Sequence, residues 1–411
     1  MVAILGYSRE QIFAAVKDMY TAVADSPDAH FHFPVGGEAC RTLGYPPEQI
    51  AALPEAVRQS FAGVGYPFNA QAVRAGDTVL DIGAGAGNDT VIASRIAGSE
   101  GHVIALDLTP AMTRKLKAAC DQTAVANVSV LQGSAERLPL ADGSVDSITS
   151  NGALNLVPDK RRAIGEMFRV LRPGGRVQLA DVVIRRPVTV DCHEDPRLWV
   201  ECVVGATVDE DLLTMFRDAG FEDVEVVREL DYFAHSPSAQ TREVAASFDA
   251  RSMELGMSRG DRAPSRLMQW LKRLNPVRWV KSLWRRGFFG LVSLAAAVIV
   301  CYGTLAALAL LGVLGFGFAL DEGLWAGAIA LFAVLAAAAI TAGARRHRSP
   351  GPPILAATGA GVILYALFVD YSLIVELIGF ILLSVSALRD LQLRRRVQAR
   401  VLGLQHAVGM K

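Results

Sequence analysis

The stretch Val79-Leu-Asp-Ile-Gly-Ala-Gly-Ala-Gly-Asn-Asp89 decides the fold that we predict for this chain. Its first residues have the composition of a short buried strand, and glycines then occupy alternate positions. The segment Thr90–Ile96 follows with the apolar spacing of a helix. A strand that runs into a glycine turn and then a helix lets the backbone approach a ligand and offers it unpaired N–H groups. The stretch therefore predicts a nucleotide-binding corner.

A carboxylate follows where such a corner needs one. The apolar run His102–Leu106 has the character of a second strand and ends at Asp107. An acid roughly 20 residues beyond the glycines, at the end of the next strand, is placed to accept hydrogen bonds from both ribose hydroxyls. Strand and helix patterns alternate over residues 70–230, which predicts an α/β fold with a mostly parallel sheet.

Segments in a fixed order resemble the motifs of class I S-adenosylmethionine-dependent methyltransferases. They are Asp81 before a G-x-G-x-G loop, Gly133–Pro139 after strand three, Ser144–Ile148 as strand four, and Arg169–Arg176 before strand five. The resemblance implies a Rossmann-like fold with S-adenosyl-L-methionine as cofactor, and the alternative is a plain Rossmann-like fold with incidental glycines. An acid is usual where Ser134 stands. The cofactor residues that it implies are Asp81, Gly83, Gly85, Gly87, Asp107, Leu108, Ser134, Ala135, Glu136 and Asn151.

Composition limits the function classes. The chain has 411 residues and a formal net charge of zero, so there is no electrostatic case for a nucleic-acid partner. Its five cysteines are scattered without a CxxC pair, which argues against a zinc knuckle and against a disulfide framework. The first residues lack the basic start and apolar core of a signal peptide. The 52% hydrophobic content is high for a soluble enzyme, and the excess lies at the C-terminal end.

The C-terminal part predicts a membrane domain. Residues 259–286 are basic and carry tryptophans at 270, 279 and 284, as juxtamembrane segments do; a nucleic-acid patch is the competing interpretation. Four apolar segments follow, at about 288–312, 324–343, 354–369 and 372–388. Basic residues flank every second loop, which predicts about four transmembrane helices with both chain ends in the cytosol. The lipid bilayer is thus a predicted partner, and the oligomeric state is left open.

This pattern divides the chain into five parts and locates it in the cytoplasmic (inner) membrane as a multi-pass protein. The parts are an N-terminal helical or lid segment (1–69), a methyltransferase domain (70–250), a basic linker (251–286), an all-α four-helix transmembrane domain (287–390) and a basic cytosolic tail (391–411).

Within the methyltransferases, residues 38–228 resemble the arsenite methyltransferase branch. The matching segments include Leu43-Gly-Tyr45, Asn155–Lys160 and Cys202–Ala206. Those enzymes bind trivalent arsenic through cysteine thiolates and pass the sulfonium methyl group to the arsenic lone pair, so the resemblance implies a metalloid or other small-molecule substrate. It also makes Cys202 and Cys40 the candidate catalytic and metal-binding residues.

Two departures separate the chain from that branch. The branch has a cysteine in Gly-Cys-Gly before the core domain, where we assign Tyr66, and a cysteine in Ser-Asn-Cys after strand four, where this chain has Gly152. Cys192 is a possible replacement, and the alternative for Cys192 and Cys202 is that both are small buried hydrophobic residues. Residues 30–34, with two histidines, predict either a lid over the cofactor or a metal site.

The membrane part is similar to the MerC family of bacterial mercury-uptake proteins, through the four-span layout, Cys301-Tyr-Gly-Thr and Arg345-Arg-His-Arg348. That family has a vicinal cysteine pair where only Cys301 stands here. Glu376, in the fourth span, is a functional candidate because an ionisable group in lipid is costly.

Three functions stay open. The first is a membrane-tethered methyltransferase for a soft metal or metalloid in detoxification. The second is a methyltransferase for an apolar small molecule such as a quinone or lipid. The third is a metal transporter or sensor whose methyltransferase-like domain only binds a ligand. No general base stands out, and His193, Glu194 and Asp195 are the nearest candidates.

Overall fold

The computed structural model describes residues 8–123, 125–188, 203–261, 280, 283, 288–299 and 322–402. The chain divides into two compact units, Met1–Arg273 and Leu274–Lys411. Several predicted features lie outside the described residues: Cys192, Cys202 and Cys301, the segment His193–Asp195, and the tryptophans at 270, 279 and 284.

The first unit is built on one sheet. Its strands are β1 (Thr78–Ile82), β2 (His102–Asp107), β3 (Val128–Gln132), β4 (Val145–Asn151), β5 (Leu171–Ile184), β6 (Thr207–Val208), β7 (Phe221–Leu230) and β8 (Ala250–Arg259). The order is β3-β2-β1-β4-β5-β8-β7, with β6 beside β5. Strands β1 to β5 are parallel, and β8 runs antiparallel to β5 and to β7. The chain order reverses between β1 and β4, which is where open α/β sheets bind ligands. The predicted Rossmann-like α/β fold is confirmed.

Helices surround this sheet. They are α1 (Arg9–Asp25), α2 (Gly36–Leu43), α3 (Pro47–Ala51), α4 (Glu55–Gln59), α5 (Asn88–Ala97), α6 (Pro110–Thr123), α7 (Lys160–Val170), α8 (Asp209–Ala219) and α9 (Ala239–Phe248). Ser8 and Gln11 form a capping box at the start of α1. The Oγ of Ser8 accepts a hydrogen bond from Gln11 N, and the N–H of Ser8 donates one to Gln11 Oε1. Helix α8 ends at Gly220, whose φ of 108° favours glycine. Serine and glycine are residue types that commonly cap the two ends of helices.

Strand β8 was not predicted, although it lies inside the sheet. Met253 and Leu255 alternate along it and pack into the main core. Between them Glu254 is completely buried, where it accepts hydrogen bonds from Tyr66 N (2.9 Å) and Asn69 Nδ2 (2.7 Å). A carboxylate in a central strand interrupts the apolar pattern by which a buried strand is recognised in a sequence. The residues that donate hydrogen bonds to this carboxylate are distant in the sequence. The linker predicted to start at residue 251 therefore overlaps a strand that extends to Arg259.

The described part of the second unit is helical. It contains α10 (Phe289–Val298), α11 (Glu322–His347), α12 (Gly351–Phe368) and α13 (Leu373–Val401). Within it, the segments Ala326–Arg345 and Gly351–Phe368 are long and apolar enough to cross a membrane. Helices α12 and α13 approach closely through glycines, since a Cβ on Gly359 would lie 3.0 Å from Gly379 O. Such small-residue contacts are typical of helix packing in membranes.

Candidate active site

An open cavity lies at the carboxyl ends of β1, β2 and β4, and the space between its walls, including the part open to solvent, is about 980 Å³. Its walls come from the glycine loop after β1, from the segment after β3 and from the N-terminal helix α1. The structure brings most of the predicted cofactor residues to these walls. Those that line the cavity are Asp81, Gly83, Gly85, Asp107, Leu108, Ser134, Ala135 and Asn151.

The carboxylate of Asp107 is held rigidly at the cavity edge. Its Oδ2 accepts a hydrogen bond from Gly85 N (2.9 Å), and its Oδ1 accepts one from Thr109 N (2.7 Å). Each oxygen retains a second lone pair that a ribose hydroxyl can use. Gly85 has φ of 54°, and a Cβ built on it would meet no protein atom within 4 Å. The loop therefore leaves open space beside the acid, as a nucleoside requires.

Two predicted cofactor residues do not line the cavity. Gly87 has φ of 102°, and a Cβ there would lie 2.1 Å from Leu116 Cδ1, so the glycine lets α5 begin against α6. Glu136 is buried; its Oε1 accepts from Asp159 N (2.8 Å), and its Oε2 pairs with Arg9 of α1. Both residues make packing contacts outside the cavity lining, and their part in cofactor binding stays a prediction.

Three buried carboxylates surround the glycine loop. Burial raises the pKa of Asp89 and of Asp107. Burial, followed by repulsion from Asp89, raises the pKa of Asp81 to about 8, although Thr90 Oγ1 donates to it at 2.5 Å. A cationic ligand relieves such repulsion. S-adenosylmethionine carries a sulfonium and an ammonium group, so the residues present fit this cofactor.

Asn151 connects the cavity to the N-terminal segment. Its Oδ1 accepts from Val64 N (2.8 Å) and Gly65 N (3.2 Å). Its Nδ2 donates to Tyr45 OH, to Asp89 Oδ2 and to Gly65 O, each at 2.9 Å. The amide is thus occupied by protein partners, and it fixes loop 63–65 in place. Sequence reasoning missed Tyr45 and Asp89 as site residues; the signal for Asp89 was its position in the first turn after the glycines.

Helix α1 covers part of the cavity with Phe13, Val16 and Tyr20, which the sequence did not assign to the site. Its C-terminal end is fastened by Lys115, whose Nζ donates to Ala24 O and to Ser60 Oγ, both at 2.7 Å. In the segment 30–34 the rings of Phe31 and Phe33 are buried. No group of three His, Cys, Asp or Glu residues that could hold a metal occurs in the part of the chain that the structure describes.

Cys40 does not line the cavity. It is completely buried and lies 3.6 Å from Asn88 Oδ1. Burial, with a contribution from Asp89, raises the pKa of its thiol to about 12. In the ligand-free structure the raised pKa favours the neutral thiol over the thiolate that metals and electrophiles need. The role of Cys40 as a catalytic and metal-binding residue stays a prediction. The role of Cys202 stays a prediction.

The acceptor side of the cavity requires a correction. The Gly-x-Gly frame before the core domain is Gly63-Val64-Gly65, so the residue in the place of the arsenite branch's cysteine is Val64. The hydroxyl of Tyr66 instead donates a hydrogen bond to Gln49 Oε1 (3.1 Å). A Cβ on Gly152 would lie 3.2 Å from Val64 Cγ1. The two substituted positions are therefore adjacent in space, and Gly63 and Gly152 both line the cavity.

Comparison with known proteins agrees with this geometry. Residues 74–220 match the family model of a methyltransferase domain, and residues 288–392 match that of the MerC mercury resistance protein. The arsenite methyltransferase of Halobacterium salinarum is 38% identical over 208 residues, 51% of this chain and 51% of that protein. The ubiquinone/menaquinone biosynthesis C-methyltransferase of a Marinomonas species is 44% identical over 116 residues, 27% of this chain and 45% of that protein.

A solved arsenic(III) S-adenosylmethionine methyltransferase from Chlamydomonas reinhardtii is 29% identical, with a TM-score of 0.43, over 55% of this chain and 74% of that one. The chain spans about half the length of the curated relatives that it matches. Two separate parts of the chain are therefore similar to different families, a methyltransferase domain over residues 74–220 and the MerC mercury resistance protein over residues 288–392.

Proposed function

We propose that this chain is a membrane-associated S-adenosylmethionine-dependent methyltransferase that acts on a soft metal or metalloid such as trivalent arsenic. The observation that carries the proposal is the Asp107 carboxylate, fixed by Gly85 N and Thr109 N at the edge of an open glycine-walled cavity. The similarity to arsenite methyltransferases, over 51% of the chain in one case and 40% in another, supports the metalloid acceptor.

The chain's own residues would hold the cofactor and exclude water. When bound, S-adenosylmethionine supplies an electrophilic methyl group on a positively charged sulfur. Asp107 would accept hydrogen bonds from the ribose hydroxyls, and the buried carboxyl groups of Asp81 and Asp89 would favour the cationic end, which would in turn favour their ionised forms. Phe13 and Tyr20 of α1 would close the site against water, which strengthens electrostatic interactions inside it. An arsenic lone pair carries no proton, so methyl transfer to it requires no general base from the site.

The proposed membrane attachment is multi-pass, with four spans and with the methyltransferase part and C-terminus in the cytosol. The MerC match and the two apolar helices support membrane association. Helix α13 adds a third apolar face: large exposed side chains recur at helical spacing along its first half, while Phe380 and Leu383 on the other side are buried. The exposed residues are Leu373, Ile374, Leu377, Ile378, Ile381, Val385 and Leu388.

A second candidate function is favoured by the acceptor wall. Gly152 stands where the arsenite branch has a cysteine, and apolar side chains such as Phe61 and Leu156 line the cavity. Apolar walls suit an organic acceptor such as a quinone or lipid. The similarity to a quinone C-methyltransferase points the same way.

The test is methyl transfer by the full chain in detergent micelles, with methyl-labelled S-adenosylmethionine. Acceptors are arsenite, antimonite and mercuric ion with excess thiol, and in parallel a reduced quinone. We expect labelled metalloid product from the wild-type chain and none from Cys202→Ser. Product with the quinone alone would move the assignment to the second function. Cofactor binding without transfer to any acceptor would favour a ligand-binding domain.

A further inference from the structure

A buried lysine and a buried aspartate lie behind the segment that follows β4. Lys160 is the first residue of α7, and Asp181 lies near the carboxyl end of β5. Neither side chain lines the cavity. Lysine is almost never fully buried without a partner, because removing an ammonium group from water is costly. The burial of Lys160 therefore indicates a specific role for its ammonium group.

The two side chains bind the backbone of a single turn. Asp181 accepts a hydrogen bond from Asn155 N, which lies 3.2 Å from Oδ1 and 3.1 Å from Oδ2. Lys160 Nζ donates to Asn155 O and to Val157 O, both at 2.9 Å. Both backbone groups of Asn155 are thus bonded to charged side chains, and such hydrogen bonds are about twice as strong as those between neutral groups.

The turn that they hold forms part of the cavity wall. It belongs to the segment 152–157, of which Ala153, Leu156 and Val157 line the cavity. Ala153 packs against the glycine loop so closely that a Cβ on Gly83 would clash with its Cβ. A displacement of the segment would therefore change the space between this wall and the glycine loop.

Stability alone does not account for this pair of charges. Burial lowers the pKa of Lys160 and raises the pKa of Asp181, and the attraction between the ammonium and the carboxylate opposes both shifts. Removing one group leaves the other charge buried without its strongest electrostatic partner, which is strongly destabilising. Replacing both groups by uncharged residues of similar volume is often neutral or stabilising. The pair is thus weak evidence for a purely structural role.

We propose that Lys160 and Asp181 are positioning residues, which hold the segment 152–157 at the separation from the glycine loop that the methyl donor requires. The inference rests on the proposed function and adds to it two residues outside the cavity lining. They act on the site through the backbone of Asn155 and Val157. The effect can be large, since a misplacement of about 1 Å can cost about 100-fold in rate.

The experiment uses the full chain in detergent micelles and the variants Lys160→Met, Asp181→Asn and the double variant. It measures the midpoint of thermal unfolding, the Kd for S-adenosylmethionine by isothermal titration calorimetry, and hydrogen–deuterium exchange in the segment 152–157. Methionine and asparagine approximate the lengths of the side chains that they replace. The double variant carries neither buried charge, so it remains available if a single variant does not fold.

A positioning role separates these measurements. We expect a lower thermal midpoint in each single variant and partial recovery in the double variant, which leaves no buried charge without its partner. Affinity should not recover, because Asn155 O and Val157 O still lack the ammonium donor. In Lys160→Met and in the double variant, Kd should rise about tenfold, the loss expected for hydrogen bonds to a charged group, and exchange in the segment 152–157 should be faster.

Arg176→Met is the matched control. Arg176 is a half-buried cation that donates to a backbone carbonyl, Ala72 O, and to a carboxylate, Asp77 Oδ2, both at 2.6 Å, and it does not line the cavity. This variant should have a lower thermal midpoint, with wild-type values of Kd and of exchange in the segment 152–157.

Two results would contradict the account at different levels. Wild-type affinity and wild-type exchange in the double variant would overturn the inference and leave the proposed function standing. No binding of S-adenosylmethionine by the wild-type chain would contradict the proposed function, and the inference with it.

Discussion

The hydroxyl of Tyr45 donates a 2.6 Å hydrogen bond to Asp89 Oδ1, although the two residues lie 44 positions apart in the chain. Asn151 Nδ2 donates to both groups and completes a buried triangle. Tyr45 belongs to the N-terminal segment and Asp89 to the first turn of α5. The contact therefore fastens the N-terminal segment, whose helix α1 lines the cavity, to the first turn of α5.

Removing this hydroxyl should destabilise the first unit. In Tyr45→Phe the buried Asp89 carboxylate loses one donor, and a hydrogen bond to a charged group contributes about 1.5–3 kcal/mol. We expect a lower midpoint of thermal unfolding for the full chain in detergent. Tyr66→Phe is the matched control, because its half-buried hydroxyl contacts only Gln49 at 3.1 Å among the described residues. If the midpoint of thermal unfolding fell equally in both variants, the Tyr45–Asp89 hydrogen bond would contribute no more to stability than the Tyr66–Gln49 hydrogen bond.

The ion pair between Arg9 and Glu136 should keep α1 closed over the cavity. Arg9→Ala leaves the buried Glu136 carboxylate with Asp159 N as its remaining partner, so α1 should open more often. We expect faster hydrogen–deuterium exchange in α1 and unchanged exchange in α8. Arg114→Ala, an exposed change on α6, should alter neither helix. If hydrogen–deuterium exchange in α1 were unchanged in Arg9→Ala, the apolar contacts of α1 alone would keep this helix closed over the cavity.

The buried acid after β1 should make stability depend on pH. The pKa of Asp81 is raised from 3.8 to about 8, so between these values the folded chain binds more protons than the unfolded chain. The free energy of unfolding must then fall as pH rises through this window. We expect the thermal midpoint of the ligand-free chain to decrease between about pH 5 and pH 8, and Asp81→Asn to reduce that slope. The slope should not vanish, because Asp89 and Asp107 shift in the same direction. If the thermal midpoint of Asp81→Asn fell with pH as steeply as that of the wild-type chain, Asp81 would be ionised in the folded chain.

Cys40 should be inert in the folded chain. Its thiol is buried and its pKa is raised to about 12, so thiolate is scarce near neutral pH. We expect no alkylation by iodoacetamide at about pH 8, where an ordinary thiol reacts, and complete alkylation after denaturation. Mass spectrometry of the peptide that contains Cys40 measures both. Rapid alkylation of the native chain would contradict this expectation and would support Cys40 as a ligand candidate.

Local sequence patterns predicted those parts of the site that are formed by a single continuous segment of the chain. The glycine loop and Asp107 follow from a strand, a turn and the next strand, and they meet in the structure as expected. Ser8 and Gly220 fix helix ends through contacts within a few residues.

Contacts between distant segments were beyond the sequence. Glu254 lies buried in β8 because Tyr66 and Asn69, about 185 positions away, satisfy it. Glu136 has the right place in its motif, yet Arg9 draws its side chain away from the cavity. Val64 meets Gly152 only once the N-terminal segment folds over β4.

The most direct test of the account is binding of S-adenosylmethionine to the full chain by isothermal titration calorimetry. The account predicts a single site on the wild-type chain and at least about tenfold weaker binding by Asp107→Ala, the loss expected for hydrogen bonds to a charged group. Asp121→Ala, an exposed change on α6, should bind as the wild type does. No binding by the wild-type chain, or wild-type affinity in Asp107→Ala, would contradict the assignment of this cavity to the methyl donor.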